Sequence, residues 1–333
     1  MKVLVTGGGG FLGSHIAMRL LAEGQTVSIL GRKHYAHLPS AIIQHCADLR
    51  DLDAVSKAVA GCDAVYHVAA IPGVWGSYDE YHSINVGGTQ NVIHACKKNS
   101  AQRLIYTSSP SVVFHMTDQE NVDESTPYPE RYYCDYSKTK AQGESLVAQA
   151  NDPQGLKTVS LRPHLIWGPG DAHLIPRIIH KAKTGRLVKV GEGKNKVDMT
   201  YIDNAVEAHL KAEQALRDNS EQVGGQAYFI SDGQPVNLWD WVDRLLSELE
   251  LPPIKKQISH RTAHNLGAVF EMIYGALRIN REPPLTRFVA SQLATSHHFN
   301  ISRARNELGY APSTTPEEGM QSLLASLRTD PSH

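Results

Sequence analysis

"VLVTGGGGFLGSHIAMRLLAEG", residues 3–24, places Gly7, Gly10 and Gly13 between a short β-branched run and an amphipathic one. A buried strand that passes into a helix through glycines is the usual opening of a dinucleotide-binding unit. Glycine there permits a tight turn, close approach of the backbone to a pyrophosphate, and close packing of helix on strand. The helix start adds unpaired N–H groups and a dipole that favours phosphate. The spacing is G-x-x-G-x-x-G rather than G-x-G-x-x-G. A plain glycine turn in an α/β domain is the competing reading, and the flanking strand and helix argue against it.

Outward from this stretch the chain keeps a strand–helix rhythm. KVLVTG, TVSIL, IIQHCAD, AVYHVAA, RLIYTSS and TVSLRP read as strands, several with little polar alternation, as in a parallel sheet covered on both faces. Helices are predicted over Phe11–Glu23, Leu52–Ala60, Tyr81–Lys98 and Tyr133–Ala150. The expected fold is α/β, a Rossmann-like doubly wound parallel sheet. After Pro163 the rhythm loosens. Residues 1–165 are expected to form the dinucleotide-binding domain, with segments around 195–232 returning to it. Residues 166–330 are expected to form mainly a smaller α/β substrate lobe.

The 333 residues are 41% hydrophobic and 20% charged, with a net charge of −1, so nothing in the charge points to nucleic acid. Cys46, Cys62, Cys96 and Cys134 are scattered without a C-x-x-C pair. That spacing offers no zinc framework and fits a reducing compartment, so no metal is expected. His260 and His264 share a helical spacing without a nearby carboxylate and read as a solvated face. The apolar run at the N-terminus is too short for a signal peptide. "LGAVFEMIYGAL", residues 266–277, is too short to cross a bilayer and carries Glu271. A cytoplasmic protein without a transmembrane segment is expected.

The second strand ends in "SILGRKHY", where an NAD site ordinarily has an acid for the ribose 2′-hydroxyl. Gly31 leaves room for a 2′-phosphate, and Arg32 and Lys33 would attract it, so NADP(H) is favoured over NAD(H). After the third strand, Asp48 could accept from the adenine amino group with Leu49 packing nearby, or could cap the next helix.

"RYYCDYSKTK", residues 131–140, holds Tyr136 and Lys140 four apart, on one face of a helix. With the glycine turn, "INVGGTQNV", "YTSSPSV", "LRPHLIWGPGD" and "TYIDNAVEAH", this Y-x-x-x-K resembles the extended short-chain dehydrogenase/reductase family from Lys2 to about Ser231. The resemblance implies a nicotinamide cofactor and a Ser/Thr-Tyr-Lys site. Phe11, Leu12, Ala69 and Pro163 then join the cofactor cradle. Ketone reduction needs an acid near the carbonyl oxygen. Tyr136 can serve if a cation lowers its pKa, and Lys140 is one turn away. Lys140 would also reach the nicotinamide ribose. Ser109 aligns with the family's catalytic hydroxyl, with Ser108 and Ser111 as alternates. Asn85 aligns with the asparagine that orders the lysine, or is a helix N-cap. Tyr132 and Tyr133 read as packing or pocket wall, Lys138 as solvated, and Cys134 as structural.

Three features bear on the substrate. "RPHL" puts Leu165 where sugar-nucleotide members carry an asparagine, which argues against epimerases and dehydratases. "IPGVWGSYDEYH" offers Trp75, Tyr78 and Tyr81 as an aromatic pocket edge, suited to a greasy substrate. The C-terminal third, with "PLTR" and "HFNISRARNELGY", resembles the 3β-hydroxysteroid dehydrogenase branch. Within it the chain is most similar to the 2-alkyl-3-oxoalkanoate reductases of bacterial long-chain olefin biosynthesis. That implies NADPH reduction of the 3-keto group of a two-tailed β-keto acid, with Ser111 on the substrate side and Arg177, His164 or Arg287 holding the carboxylate. A sterol-type 3β-hydroxy dehydrogenase is the alternative. A non-catalytic NAD(P) sensor is disfavoured because Ser109, Tyr136 and Lys140 are all kept. A homodimer is expected through the helices after the fourth and fifth strands, associating with pathway enzymes. Residues 263–278 are expected to pack as part of the lobe, with roofing the pocket or resting against a lipid-rich partner as the alternatives.

Overall fold

In β1 (Lys2–Thr6) every residue from Val3 on is buried, because the strand is covered on both sides. Val3 and Val5 face one core, with Ile16 and Leu20 of α1 (Phe11–Ala22). Leu4 faces the other, with Val55 of α2 (Leu52–Val59). The computed structural model describes residues 1–329.

Around β1 a seven-stranded sheet forms from β2 (Thr26–Gly31), β3 (Ile43–Cys46), β4 (Ala64–His67), β5 (Arg103–Thr107), β7 (Lys157–Pro163) and an edge strand, Ala227–Ile230. β6 (Gln119–Val122) belongs to a second sheet. The order is edge strand, β7, β5, β4, β1, β2, β3, with every pairing parallel. The strand order reverses between β1 and β4, so a crevice opens beyond the carboxyl ends of these two strands. α1 packs with the helix Ile202–Asp218, while α2, α4 (Gly88–Lys98) and α5 (Asp135–Ala150) pack side by side.

The predicted helix Tyr81–Lys98 is a composite. A four-residue α3 (Tyr78–Tyr81) leads into a π-helical segment, His82–Gly87, and then α4. Single π segments inside helices often mark functional sites. α5 begins at Asp135, two residues later than predicted. The run LVKVG gives the strand Val188–Val190, which pairs with Lys256–Ile258 and not with the main sheet. The second sheet, Val236–Asn237, Lys196–Val197, His297–Phe299 and β6, has no counterpart in the sequence reading. Beyond it lie the helices His260–Ala276 and Arg287–Ala294. No helix among the described residues is long and apolar enough to cross a membrane.

Candidate active site

The ends of β1, β2, β4, β5 and β7 open into a cleft of about 820 Å³. Its floor at one end is the glycine turn. Gly7 has φ +68°, and a Cβ there would come within 2.9 Å of the Ala69 backbone. A Cβ on Gly13 would meet the Gly7 carbonyl oxygen at 2.3 Å, so α1 can lie this close only with glycine present. Gly10 caps α1 without a side-chain hydrogen bond, and its first turn carries no acid. The unpaired N–H groups therefore face the cleft with nothing on the chain competing for them.

Gly7, Gly10, Phe11, Leu12, Gly13, Arg32, Asp48, Leu49, Ala69 and Pro163 all line this cleft. Lys33 does not line it and lies over the Tyr35 ring, 5.8 Å from the centroid. Asp48 is gripped by Arg50 through 2.9 and 2.7 Å hydrogen bonds, which hold its carboxyl below the usual range. Asp48 is not the helix cap; Asp51 is, accepting from Ala54 N. The glycine cradle and open helix start fit a dinucleotide pyrophosphate, and Gly31 with Arg32 stands at the adenosine end.

At the other end stand Ser109, Tyr136 and Lys140. α5 carries Tyr136 and Lys140 on one face. Lys140 Nζ donates to the Thr107 carbonyl oxygen and lies 4.1 Å from the Tyr106 ring centroid. Burial brings it down to about 7, against an opposing pull from Glu144 one turn on. Burial pushes the Tyr136 phenol up to about 12, and a hydrogen bond with Ser109 works the other way. The expectation that Lys140 lowers Tyr136 is thus corrected: burial dominates, and Lys140 is set against Thr107 and Tyr106. Ser109 Oγ lies 2.9 Å from Ser111 Oγ and accepts from Ser111 N at 3.2 Å.

Asn85 is no N-cap. It lies in the π segment, accepts from Ile71 N at 2.8 Å, and donates to Thr139 Oγ1 at 3.1 Å, beside Lys140. The nearby His67 is fully enclosed. Thr89 Oγ1 donates to Asn85 O at 2.6 Å, so it accepts from His67 Nε2–H at 3.0 Å. His67 Nδ1 then accepts from Thr6 Oγ1 at 2.8 Å, and that oxygen accepts from Ala69 N. Desolvation, then the nearby Lys140, hold His67 down to about 3, so this relay is neutral and fixed. A lone polar residue inside "AVYHVAA" was the available signal for it.

The expected substrate residues scatter. Trp75 and Tyr78 do not line the cleft. The Trp75 indole donates to Ile279 O at 3.0 Å, and Tyr78 carries Lys138 over its ring at 4.4 Å. Lys138 is therefore engaged, not free in solvent. Tyr132 donates to Val112 O, and Tyr133 is flanked by Arg131 and Arg287. Arg177 pairs with Glu282 and Arg287 with Glu271, both outside the cleft lining. His164 does line it, but as a neutral ring. His297 Nε2–H donates to Gln292 O, so His297 Nδ1 accepts from His164 at 2.7 Å, and burial holds His164 well below its ordinary value. None of these three is a free cation for a carboxylate. The apolar wall comes instead from Val74, Leu165, Leu174 and Phe288. Cys134 is buried, with its thiol pushed up to about 11 by desolvation.

Residues 4–259 match the 3-beta hydroxysteroid dehydrogenase/isomerase family. The chain belongs to this family. It is an oxidoreductase of the extended short-chain dehydrogenase/reductase type. It is 48% identical over 330 residues to the 2-alkyl-3-oxoalkanoate reductase of Stenotrophomonas maltophilia, covering 98% of this chain and 99% of that protein. The enzyme of that name from Shewanella oneidensis is 43% identical, over 97% of this chain and 85% of its own length. Among solved structures, MoeE5 in complex with UDP-glucose and NAD superposes with a TM-score of 0.78 over the whole of both chains, at 24% identity. That likeness concerns the fold alone.

Proposed function

We propose that the chain reduces the 3-keto group of a 2-alkyl-3-oxoalkanoate to the 2-alkyl-3-hydroxyalkanoate with NADPH. The observation that carries this reading is the Ser109–Tyr136–Lys140 cluster, at the end of a cleft with apolar walls, in a chain matching the Stenotrophomonas reductase end to end. Gly7, Gly10, Phe11, Leu12 and Gly13 would hold the cofactor's pyrophosphate, and Asp48 and Leu49 its adenine. Arg32 beside Gly31 would hold the 2′-phosphate, and Ala69, Pro163 and Lys140 the nicotinamide riboside. When bound, the reduced nicotinamide supplies hydride to the ketone carbon.

The protein's part is the proton. With its pKa near 12, Tyr136 is protonated at neutral pH and donates its O–H proton to the ketone oxygen. Ser109 accepts from Ser111 N, and with Ser111 Oγ donating across their 2.9 Å contact its own hydroxyl hydrogen is left to donate to the same oxygen. The product is the C3 alcohol, and Tyr136 is left as a phenolate until solvent restores its proton. Lys140, when charged, would donate to the nicotinamide ribose hydroxyls. Asn85 and the Thr6–His67–Thr89 relay hold the Ile71 loop, the Ala69 backbone and α5 in register.

The test offers NADPH with 2-alkyl-3-oxoalkanoates and with 3-ketosterols, and NADP+ with 3β-hydroxysterols. Turnover of the oxo acids and none of the sterols is expected; the reverse pattern would make this a sterol dehydrogenase.

Two further results follow from the same geometry. Arg32→Ala is expected to weaken NADPH binding about 10–100-fold and leave NADH within about twofold, since one charge-assisted phosphate contact is lost. Equal losses for both cofactors in a fluorescence titration would place the 2′-phosphate elsewhere. Lys140 is charged below its pKa of about 7 and neutral above it. The kcat/KM for NADPH should therefore fall as pH rises through about 7, and Lys140→Arg should flatten that limb. A wild-type profile level from pH 6 to pH 9 would show that the charge on Lys140 does not limit the reaction.

A further inference from the structure

The helix His260–Ala276 turns an apolar face outward, where a surface helix ordinarily presents a polar one. Leu266, Val269, Met272, Ile273 and the C-cap Leu277 are exposed, Met272 to 68% and Leu277 to 67%. Among the described residues they are five of the nine exposed large hydrophobic side chains. At about 100° per residue they fall on one stripe. The opposite face is buried at Ala263 and Gly267, and a Cβ on Gly267 would meet Arg287 N at 2.6 Å. The helix therefore lies flat on the start of the helix Arg287–Ala294, whose Phe288 and Gln292 line the cleft from beneath.

The unpaired charges of residues 261–281 have one sign, while Asp118 and Glu192 share a surface pocket with His260 and Arg261 at the start of the helix. Arg261, Arg278 and Arg281 are exposed at its two ends. The acids of this stretch, Glu271 and Glu282, are tied to Arg287 and Arg177. Trp75, next to the cleft-lining Val74, ties its loop to the end of this helix: its indole bonds Ile279 O, and its ring meets Tyr274 edge-on at 6.3 Å.

We propose that this face docks on an anionic lipid surface, with the helix in the plane of the headgroups and Met272 and Leu277 among the acyl chains. A second copy or a protein partner could also cover apolar side chains. Arginines at both ends and no free acid between them match a negatively charged bilayer. Docked this way, the loop that carries Trp75 and the cleft-lining Val74 would meet the membrane that dissolves two-tailed amphiphiles.

The experiment is cosedimentation of the full chain with vesicles of phosphatidylcholine alone and of phosphatidylcholine mixed with phosphatidylglycerol. The vesicles carry no ketone, so the outcome is independent of the substrate reading. Binding to the mixed vesicles should exceed binding to neutral ones at least about tenfold and weaken with added salt. The double variant Met272→Glu/Leu277→Glu should bind at least about tenfold less, with its thermal midpoint and NADPH affinity unchanged. No sedimentation with either vesicle, or equal sedimentation of the variant, would overturn the proposal. So would a wild-type oligomer that the double variant dissolves, which would assign the stripe to a second copy.

Discussion

Tyr136→Phe is expected to lower turnover about 10²–10⁴-fold and to leave NADPH binding within about twofold. The substitution removes one hydroxyl and keeps the ring. In the proposed reaction the phenol is the acid; it lines the cleft, is kept protonated by burial and is linked to Ser109. Water would have to deliver the proton in the variant, without the fixed position that α5 gives the phenol. Single-turnover oxidation of bound NADPH, measured beside a binding titration, separates the two effects. Near-normal turnover would move the acid to another group, with Ser109 the first to examine.

Glu144→Ala is expected to destabilise the fold by about 3–5 kcal/mol, the usual loss when one partner of a buried ion pair is removed. Glu144 and Arg162 are both almost wholly buried, with Arg162 Nε and Nη2 donating to the carboxylate at 3.0 and 2.6 Å. The Tyr128 hydroxyl donates to the same carboxylate at 2.6 Å. Deleting the acid strands a guanidinium between α5 and β7, one helical turn from Lys140. A lower urea midpoint at unchanged m would register the loss. The double change Glu144→Leu/Arg162→Met should recover much of it, since no charge is then left buried. An unchanged midpoint in Glu144→Ala would mean that solvent reaches Arg162.

The sign of the pH effect follows from the same pair. Burial raises the Glu144 carboxyl, but Arg162 outweighs it and holds the group below its ordinary value. Its share of stability is therefore present above the unfolded carboxylate pKa and is lost as pH falls through the folded one.

What the sequence could reveal was what local spacing encodes. Gly13 is demanded by its contact with Gly7 and Gly7 by its own left-handed φ, and Tyr136 and Lys140 share a helix face. Both features were legible without coordinates. The aromatic edge was not. The segment "IPGVWGSYDEYH" contributes Val74 to the cleft, while Trp75 and Tyr78 turn to Tyr274 and Lys138. Those partners lie 199 and 60 residues away along the chain. No local pattern says which side of such a loop faces inward. The second sheet escaped for a related reason: β6 pairs with His297–Phe299 across most of the C-terminal half, through strands of four and three residues. Such short strands carry little periodicity. The charged candidates Arg177 and Arg287 were plausible as free cations until Glu282 and Glu271 appeared beside them.

The most direct test of the central claim follows the hydride and the proton together. The enzyme is given NADPH deuterated at the transferable position and a 2-alkyl-3-oxoalkanoate, and the product is read by mass spectrometry and NMR. The proposal expects one NADPH oxidised per ketone and deuterium solely at C3 of a 2-alkyl-3-hydroxyalkanoate, with the yield in a fixed time collapsing in Tyr136→Phe. Oxidation of NADPH without deuterium at C3, or no oxidation with any such acid, would contradict it.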